Sequence, residues 1–260
     1  MSKKYGMAID LHKCVGCGAC ALACKNENNT EARSDGQSHN WADFVMKTEG
    51  VFPKTRYTQM PVLCNHCTEA PCVGACPVTP KAMFKAEDGT TLHNQDRCIG
   101  CRQCQDACPY SEMVLDDASN RGENYSVISF NLHGKQTQSA WYDKTEMIPG
   151  CTASGAQVAK QAGGIPPDVN KFMSGDYQPV RKAGVVEKCI LCQHKVAGGE
   201  QPACVEACPA DARIFGDQND ATSNISKVKA ANQKTLMRYK EDEGTEPNVF
   251  YVRSYDDPKV

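Results

Sequence analysis

Cys98-Ile99-Gly100-Cys101-Arg102-Gln103-Cys104-Gln105-Asp106-Ala107-Cys108-Pro109 places four cysteines at the spacing Cys-x2-Cys-x2-Cys-x3-Cys and ends in Cys-Pro. A tight loop of this kind aims three thiolates at one four-iron core, and the wider last step begins a short helix that carries the fourth sulfur to a neighbouring core. Proline after the last cysteine has no amide hydrogen and a fixed backbone angle, so it helps turn the chain out of that helix. The same spacing recurs at Cys14, Cys17, Cys20 and Cys24, where Lys25 replaces the proline. Two related groups are Cys64, Cys67, Cys72, Cys76 before Pro77, and Cys189, Cys192, Cys204, Cys208 before Pro209. Sixteen of the 17 cysteines thus form four groups of four, which implies four [4Fe–4S] clusters in two interlocked pairs.

Two other uses of cysteine are disfavoured. Structural zinc takes four ligands from two separated knuckles, often with histidine, and three cysteines within seven residues crowd a single tetrahedral ion. A disulfide framework belongs to small secreted chains, whereas this one has 260 residues and an odd cysteine count.

Composition narrows the function further. Aromatic residues make up only 7%, so the clusters are expected to substitute for part of a hydrophobic core. The formal charge is −2 without thiolates, and four cluster–thiolate units at about −2 each bring the holoprotein to roughly −10, which argues against nucleic-acid binding. The opening MSKKYGMAID has no twin arginine and no apolar run, and no later segment is expected to span a bilayer, so membrane contact is expected only through a partner. No Walker loop, GxGxxG, nucleophile elbow or histidine cluster is present, so no catalytic residue is expected and the chain should carry electrons without bond chemistry. Lys13, Lys25, Arg97, Arg102 and Lys188 adjoin cysteine ligands, either to raise cluster potentials or as solvated surface groups.

The pattern along the chain points to an α+β fold of two interlocked bacterial-ferredoxin-like modules with a long loop-rich insertion. Strands are expected at 6–11 and 248–253, paired around one module. Runs 82–85 and 90–93 flank Glu87-Asp88-Gly89, a hairpin signal. Groups two and three then form an inserted module at 58–116, groups one and four complete a discontinuous module at 1–57 plus 185–260, and 117–184 is a linker or docking insertion. Crossing the fourth cysteines gives four ligand sets: Cys14, Cys17, Cys20 and Cys208; Cys24, Cys189, Cys192 and Cys204; Cys64, Cys67, Cys72 and Cys108; Cys76, Cys98, Cys101 and Cys104. Cys151 reads as an unliganded small apolar residue or a redox or partner-linking thiol, and Trp141 as an interface anchor or a core residue. His66 and His194 are hydrogen-bond donors near clusters rather than ligands. A loose amphipathic helix is expected from Ile225 to Leu236, capped by Ser223 or Asn224.

Cys-Asn-His-Cys at 64–67, Cys-Ile-Gly-Cys at 98–101, Cys-Pro-Tyr at 108–110 and Gly244-Thr245-Glu246-Pro247 before Val249-Phe250-Tyr251 resemble the electron-transfer subunit of the dimethyl sulfoxide reductase family of molybdopterin oxidoreductases. The resemblance implies docking on a large catalytic subunit that holds molybdenum or tungsten bis-pterin, and electron relay to or from a membrane anchor subunit or cytochrome. Some relatives have tryptophan at a ligand of group three; Cys101 here implies four cubanes. The family also implies periplasmic placement by co-export with the catalytic partner, and a cytoplasmic complex fits equally. Val127-Ile128-Ser129-Phe130-Asn131, with Gly175-Asp176-Tyr177 before group four, looks most like the small subunit of respiratory arsenate reductase. A subunit of a hydrogenase or formate dehydrogenase complex and a free polyferredoxin are the alternatives.

Overall fold

A computed structural model describes residues 2–30, 39–111, 125–132, 141–146, 148–164 and 182–252. Ile165-Pro166-Pro167, Gly175-Asp176-Tyr177 and Arg253 lie outside the described residues. The first half of the chain forms β1 (Tyr5–Asp10), α1 (Ala19–Asn28), β2 (Ala42–Val51), β3 (Lys54–Leu63), α2 (Pro71–Gly74), β4 (Met83–Lys85), β5 (Thr91–His93) and α3 (Gln103–Asp106). The second half forms β6 (Ile128–Asn131), α4 (Gly155–Gln161), β7 (Val185–Lys188), α5 (Gln193–Val196), α6 (Ala203–Glu206), β8 (Arg213–Asp217), α7 (Asn224–Ala231), β9 (Leu236–Met237) and β10 (Val249–Val252).

A four-stranded sheet in the order β8-β1-β10-β9 joins the two ends of the chain. β1 runs parallel to β10, with Met7 opposite Val249, and antiparallel to β8, with Ile9 opposite Arg213. Alternation along β1 sends Met7 and Ile9 into the main core and Ala8 into a small second core with Ile225 and Phe250. That second core is closed by α7, whose cap Ser223 accepts from the Ser226 amide. The expected helix to Leu236 is corrected: it stops at Ala231, because Asn232 folds back to donate to the Val228 carbonyl at 2.8 Å and Leu236 joins β9 opposite Val252.

The expected hairpin forms as antiparallel β4–β5, turning at Gly89 with φ 79°. A longer one, β2–β3, was not anticipated. Its ten paired positions run across the expected boundary at 57/58, with the half next to Leu63 buried and the half toward Val51 and Phe52 exposed. The expected insertion also returns a strand to the core, since β6 pairs antiparallel with β7. The segment before β10 clamps the loop of group two: Thr68 and Glu69 amides donate to the Glu246 and Thr245 carbonyls at 2.9 and 3.1 Å. Cys151 is exposed in a turn. Trp141 is half-buried, its ring against Gly164.

Candidate iron–sulfur sites

Each cysteine loop leaves the ordinary backbone regions so that its sulfurs and amides face inward. Gly16 and Gly18 hold φ of 66° and 79° in the first loop, Gly100 and Arg102 hold 71° and 63° in the third, and Leu191 and Cys192 hold 53° and 48° in the fourth. These turns aim amides at sulfur: Gly100 N–H donates to Cys98 Sγ at 3.4 Å, Leu191 N–H to Cys189 Sγ at 3.3 Å and Ala212 N–H to Cys208 Sγ at 3.3 Å. Such bonds favour the thiolate over the thiol. Short helices then start at or just before the third cysteine of each group: Cys20 and Cys24 lie on α1, Cys72 on α2, Cys104 on α3 and Cys204 on α6.

The four expected sets come together. Cys14, Cys17, Cys20 and Cys208 line a hollow of about 350 Å³, mouth included, with Arg213 in its wall. Cys76, Cys98, Cys101 and Cys104 line another of about 290 Å³. The buried Cys24 is charge-coupled to Cys189, Cys192 and Cys204, and the buried Cys108 to Cys64, Cys67 and Cys72. Among the described residues no three His, Cys, Asp or Glu side chains are disposed to hold a single metal ion; the sulfurs surround wider hollows.

Burial and mutual repulsion work against ionising these thiols. Cys24 and Cys192 are held well above the ordinary thiol range, first by burial and then by the other cysteines of their set. Cys104 and Cys189 are pushed up to about 12 and Cys108 to about 11, burial again first. Four buried sulfurs facing one another are a soft, anionic donor set that a polycationic iron core neutralises, so the residues present fit [4Fe–4S] clusters.

Charge coupling between sets orders them in a row. Cys20 of the first set acts on Cys204 of the second, where α1 packs on α6; Cys64 of the third acts on Cys189 of the second; and Cys104 of the fourth acts on Cys72 of the third, where α2 packs on α3. The row ends at the surface, because Cys17 and Cys101 are exposed while both middle sets are buried.

Basic residues near ligands divide sharply. Lys13 and Arg97 are exposed, and Arg97 lies over the Phe84 ring. Lys25 donates to Asn40 Oδ1 and Arg102 to Gln105 Oε1, so both are engaged locally. Lys188 is buried, with Nζ 3.5 Å from Cys64 Sγ. Two cations escaped the sequence reading. Arg213 is buried on β8; burial would lower its pKa, but the negative charge of Cys204 and Cys20 raises it above the usual guanidinium value. Lys85 donates to the Cys67 and Gly89 carbonyls, both at 2.6 Å. The available signal was a basic residue within an otherwise apolar strand close to a Cys-Pro.

The two histidines differ. His66 Nδ1 accepts from the Thr91 amide at 3.2 Å, and burial followed by the Lys188 and Lys85 charges holds its pKa well below the ordinary value. The neutral ring therefore carries its proton on Nε2, which has no hydrogen-bond partner among the described residues. His194 Nε2 instead sits 2.7 Å from Glu27 Oε1, tying α5 to α1.

Comparison with known proteins agrees with this chemistry. A family described as "4Fe-4S dicluster domain" matches residues 55–128 and 176–218, and one described as "4Fe-4S binding domain" matches 7–27, so all four cysteine groups are covered. The chain is 42% identical to the arsenate respiratory reductase iron–sulfur subunit of Shewanella sp. strain ANA-3, over 97% of both chains. It is 34% identical to a putative dimethyl sulfoxide reductase iron–sulfur subunit of Halobacterium salinarum, over 98% of this chain and 80% of that one. It is 32% identical to a polysulfide reductase component of Wolinella succinogenes, over 97% and 95%.

Proposed function

We propose that this chain, which belongs to the iron–sulfur electron-transfer subunits of the dimethyl sulfoxide reductase family, relays electrons through four [4Fe–4S] clusters between a quinol-linked donor and a molybdenum bis-pterin catalytic subunit. The observation that carries this reading is the row of four cysteine sets, each completed by a cysteine from another group, buried in the middle and open at Cys17 and Cys101. Each cluster would accept and release one electron without a change of ligands. The chain supplies the thiolates, the amides that stabilise them and the packing that keeps water from the middle of the row.

Two interlocked modules, the first discontinuous, are the arrangement that the β1–β10 pairing supports. Exposed Val15 and Leu22 flank the Cys17 end and exposed Ile99 flanks the Cys101 end, which suits docking of one protein at each. No helix among the described residues is long and apolar enough to cross a membrane, so the quinol-linked partner, a membrane anchor subunit or a cytochrome, supplies that contact. Likeness over 97% of both chains supports arsenate as the terminal acceptor of the complex. Placement outside the cytoplasm, by co-export with the catalytic subunit, completes the proposal.

The test is anaerobic purification of the tagged protein from its native host, with metal analysis and fractionation. Iron with stoichiometric molybdenum or tungsten, a large partner and arsenate reduction by the complex is the expected result. Nickel in place of molybdenum would assign a hydrogenase, and a monomer holding iron alone would assign a free polyferredoxin. Recovery with the cytoplasmic fraction would overturn the co-export step alone.

A further inference from the structure

An ammonium group withdrawn from water is strongly destabilising unless a negative charge and hydrogen-bond acceptors replace its hydration. Lys188 has that problem in full, being 1% exposed at the end of β7. Its Nζ donates to the Thr91 carbonyl and to the Cys189 carbonyl at 2.8 Å, and approaches Cys64 Sγ at 3.5 Å. No carboxylate among the described residues forms an ion pair with it. Glu187, its neighbour on β7, projects to the opposite face, where it meets His39 and Asn131.

What Lys188 does face is a sulfur of one set and the backbone of a ligand of another. Cys64 belongs to the third set, and Cys189, whose carbonyl holds the ammonium, belongs to the second; the Lys188 charge acts on both Cys189 and Cys72. The lysine therefore stands where the two modules meet. Arg213 lies at the other side of the second set, against Cys204 and Cys20, and Lys85 lies at the third set near Cys67. No cation is comparably buried beside the fourth set among the described residues, where Arg97 is exposed and Arg102 half-buried.

We propose that Lys188 is a counter-charge shared by the two middle clusters, a positioning residue that favours the reduced state of both and so eases electron passage from one module to the other. The inference rests on the relay reading. Its structural signature is a pairing: one substitution moves two redox centres together, because one ammonium lies against the Cys64 sulfur of the third set and the Cys189 carbonyl of the second, and the two outer centres stay put.

The experiment is an anaerobic redox titration of the holoprotein followed by EPR, on wild type, Lys188→Met, Lys188→Gln, Lys188→Arg and the exposed control Lys234→Met. Two of the four cluster signals are expected to shift to lower potential in Lys188→Met and Lys188→Gln, by a tenfold or greater change in the reduction equilibrium, about 59 mV per tenfold for one electron. Lys188→Arg and Lys234→Met should leave all four within a threefold change. Loss of iron confined to the two middle sets in the neutral variants, with Lys188→Arg iron-replete, would also support the shared charge. A uniform shift of all four signals, a shift of one or none, equal shifts in Lys188→Arg and Lys188→Met, or loss of all iron in the neutral variants would overturn it. A wild-type protein without four reducible clusters would defeat the relay reading instead, so the two failures are distinguishable.

Discussion

Replacing Asn248 with alanine should open the joint between the C-terminal segment and the loop of group two. Asn248 is 3% exposed, and its side-chain amide donates to the His66 carbonyl at 2.8 Å and to Thr68 Oγ1 at 3.2 Å while its oxygen accepts from Gln218 Nε2 at 2.9 Å. Each of the three bonds contributes about 1 kcal/mol net, so about 3 kcal/mol of local stability should go. At 1.4 kcal/mol per tenfold, this is roughly a hundredfold increase in the open population. The backbone bond from the Asn248 amide to the Asn65 carbonyl at 2.8 Å survives the substitution, so the effect stays local. Hydrogen exchange of the iron-loaded protein, read by mass spectrometry, reports that population when closing outpaces exchange. Peptides covering 65–69 and 245–249 should exchange about a hundredfold faster, with β8 unchanged. Exchange within threefold of wild type, or equal acceleration in β8, would refute the assignment of these bonds as the joint.

Other consequences are as direct. Cys208→Ser should disturb the EPR signal of the first set more than that of the second, although Cys208 belongs by sequence to the group that supplies the second; the opposite outcome would dismantle the crossed ligand sets. Gly100→Ala should release iron from the fourth set first, because φ is 71° and an added Cβ would lie 2.3 Å from the Gly184 carbonyl oxygen; unchanged iron content would show that the loop has room. In the holoprotein a thiol reagent should label Cys151 alone, the exposed cysteine outside every set, and anaerobic iron removal should raise the count to all 17. Labelling of a second cysteine before iron removal would mean that one of the sixteen is not a ligand.

The cysteine groups were legible because cluster loops are local: in groups one and three, three sulfurs within seven residues leave few chemical alternatives, and Cys-Pro marks the end of the other two. The β4–β5 hairpin was legible for the same reason, its Asp88-Gly89 turn being a short-range signal. The β2–β3 hairpin was not, since Met46-Lys47-Thr48-Glu49 breaks the apolar alternation and Phe52-Pro53 carries no glycine turn; its inner half is a strand because the core covers it. Lys188 was noticed only as a neighbour of Cys189, whereas its approach to Cys64 spans 124 positions. Arg213 was not singled out, and its approach to Cys20 spans most of the chain although Cys204 lies close in sequence. Local spacing specified the donors, and long-range packing specified the order of the row and the cations that line it.

The pairing of β1 with β8 and β10 has a consequence in time. During synthesis the cysteines of the third and fourth sets have all been made once Cys108 is added, whereas the first and second sets wait for Cys208, roughly a hundred residues and about 5–20 s later. Through that interval β1 has neither neighbour, and Cys14, Cys17, Cys20 and Cys24 have been made long before the cysteine that the proposed sets pair with them. With the proposed crossed sets, the loop of Cys14 to Cys24 waits longest for its partners, and oxidant or iron shortage during translation should strike it before the inserted module.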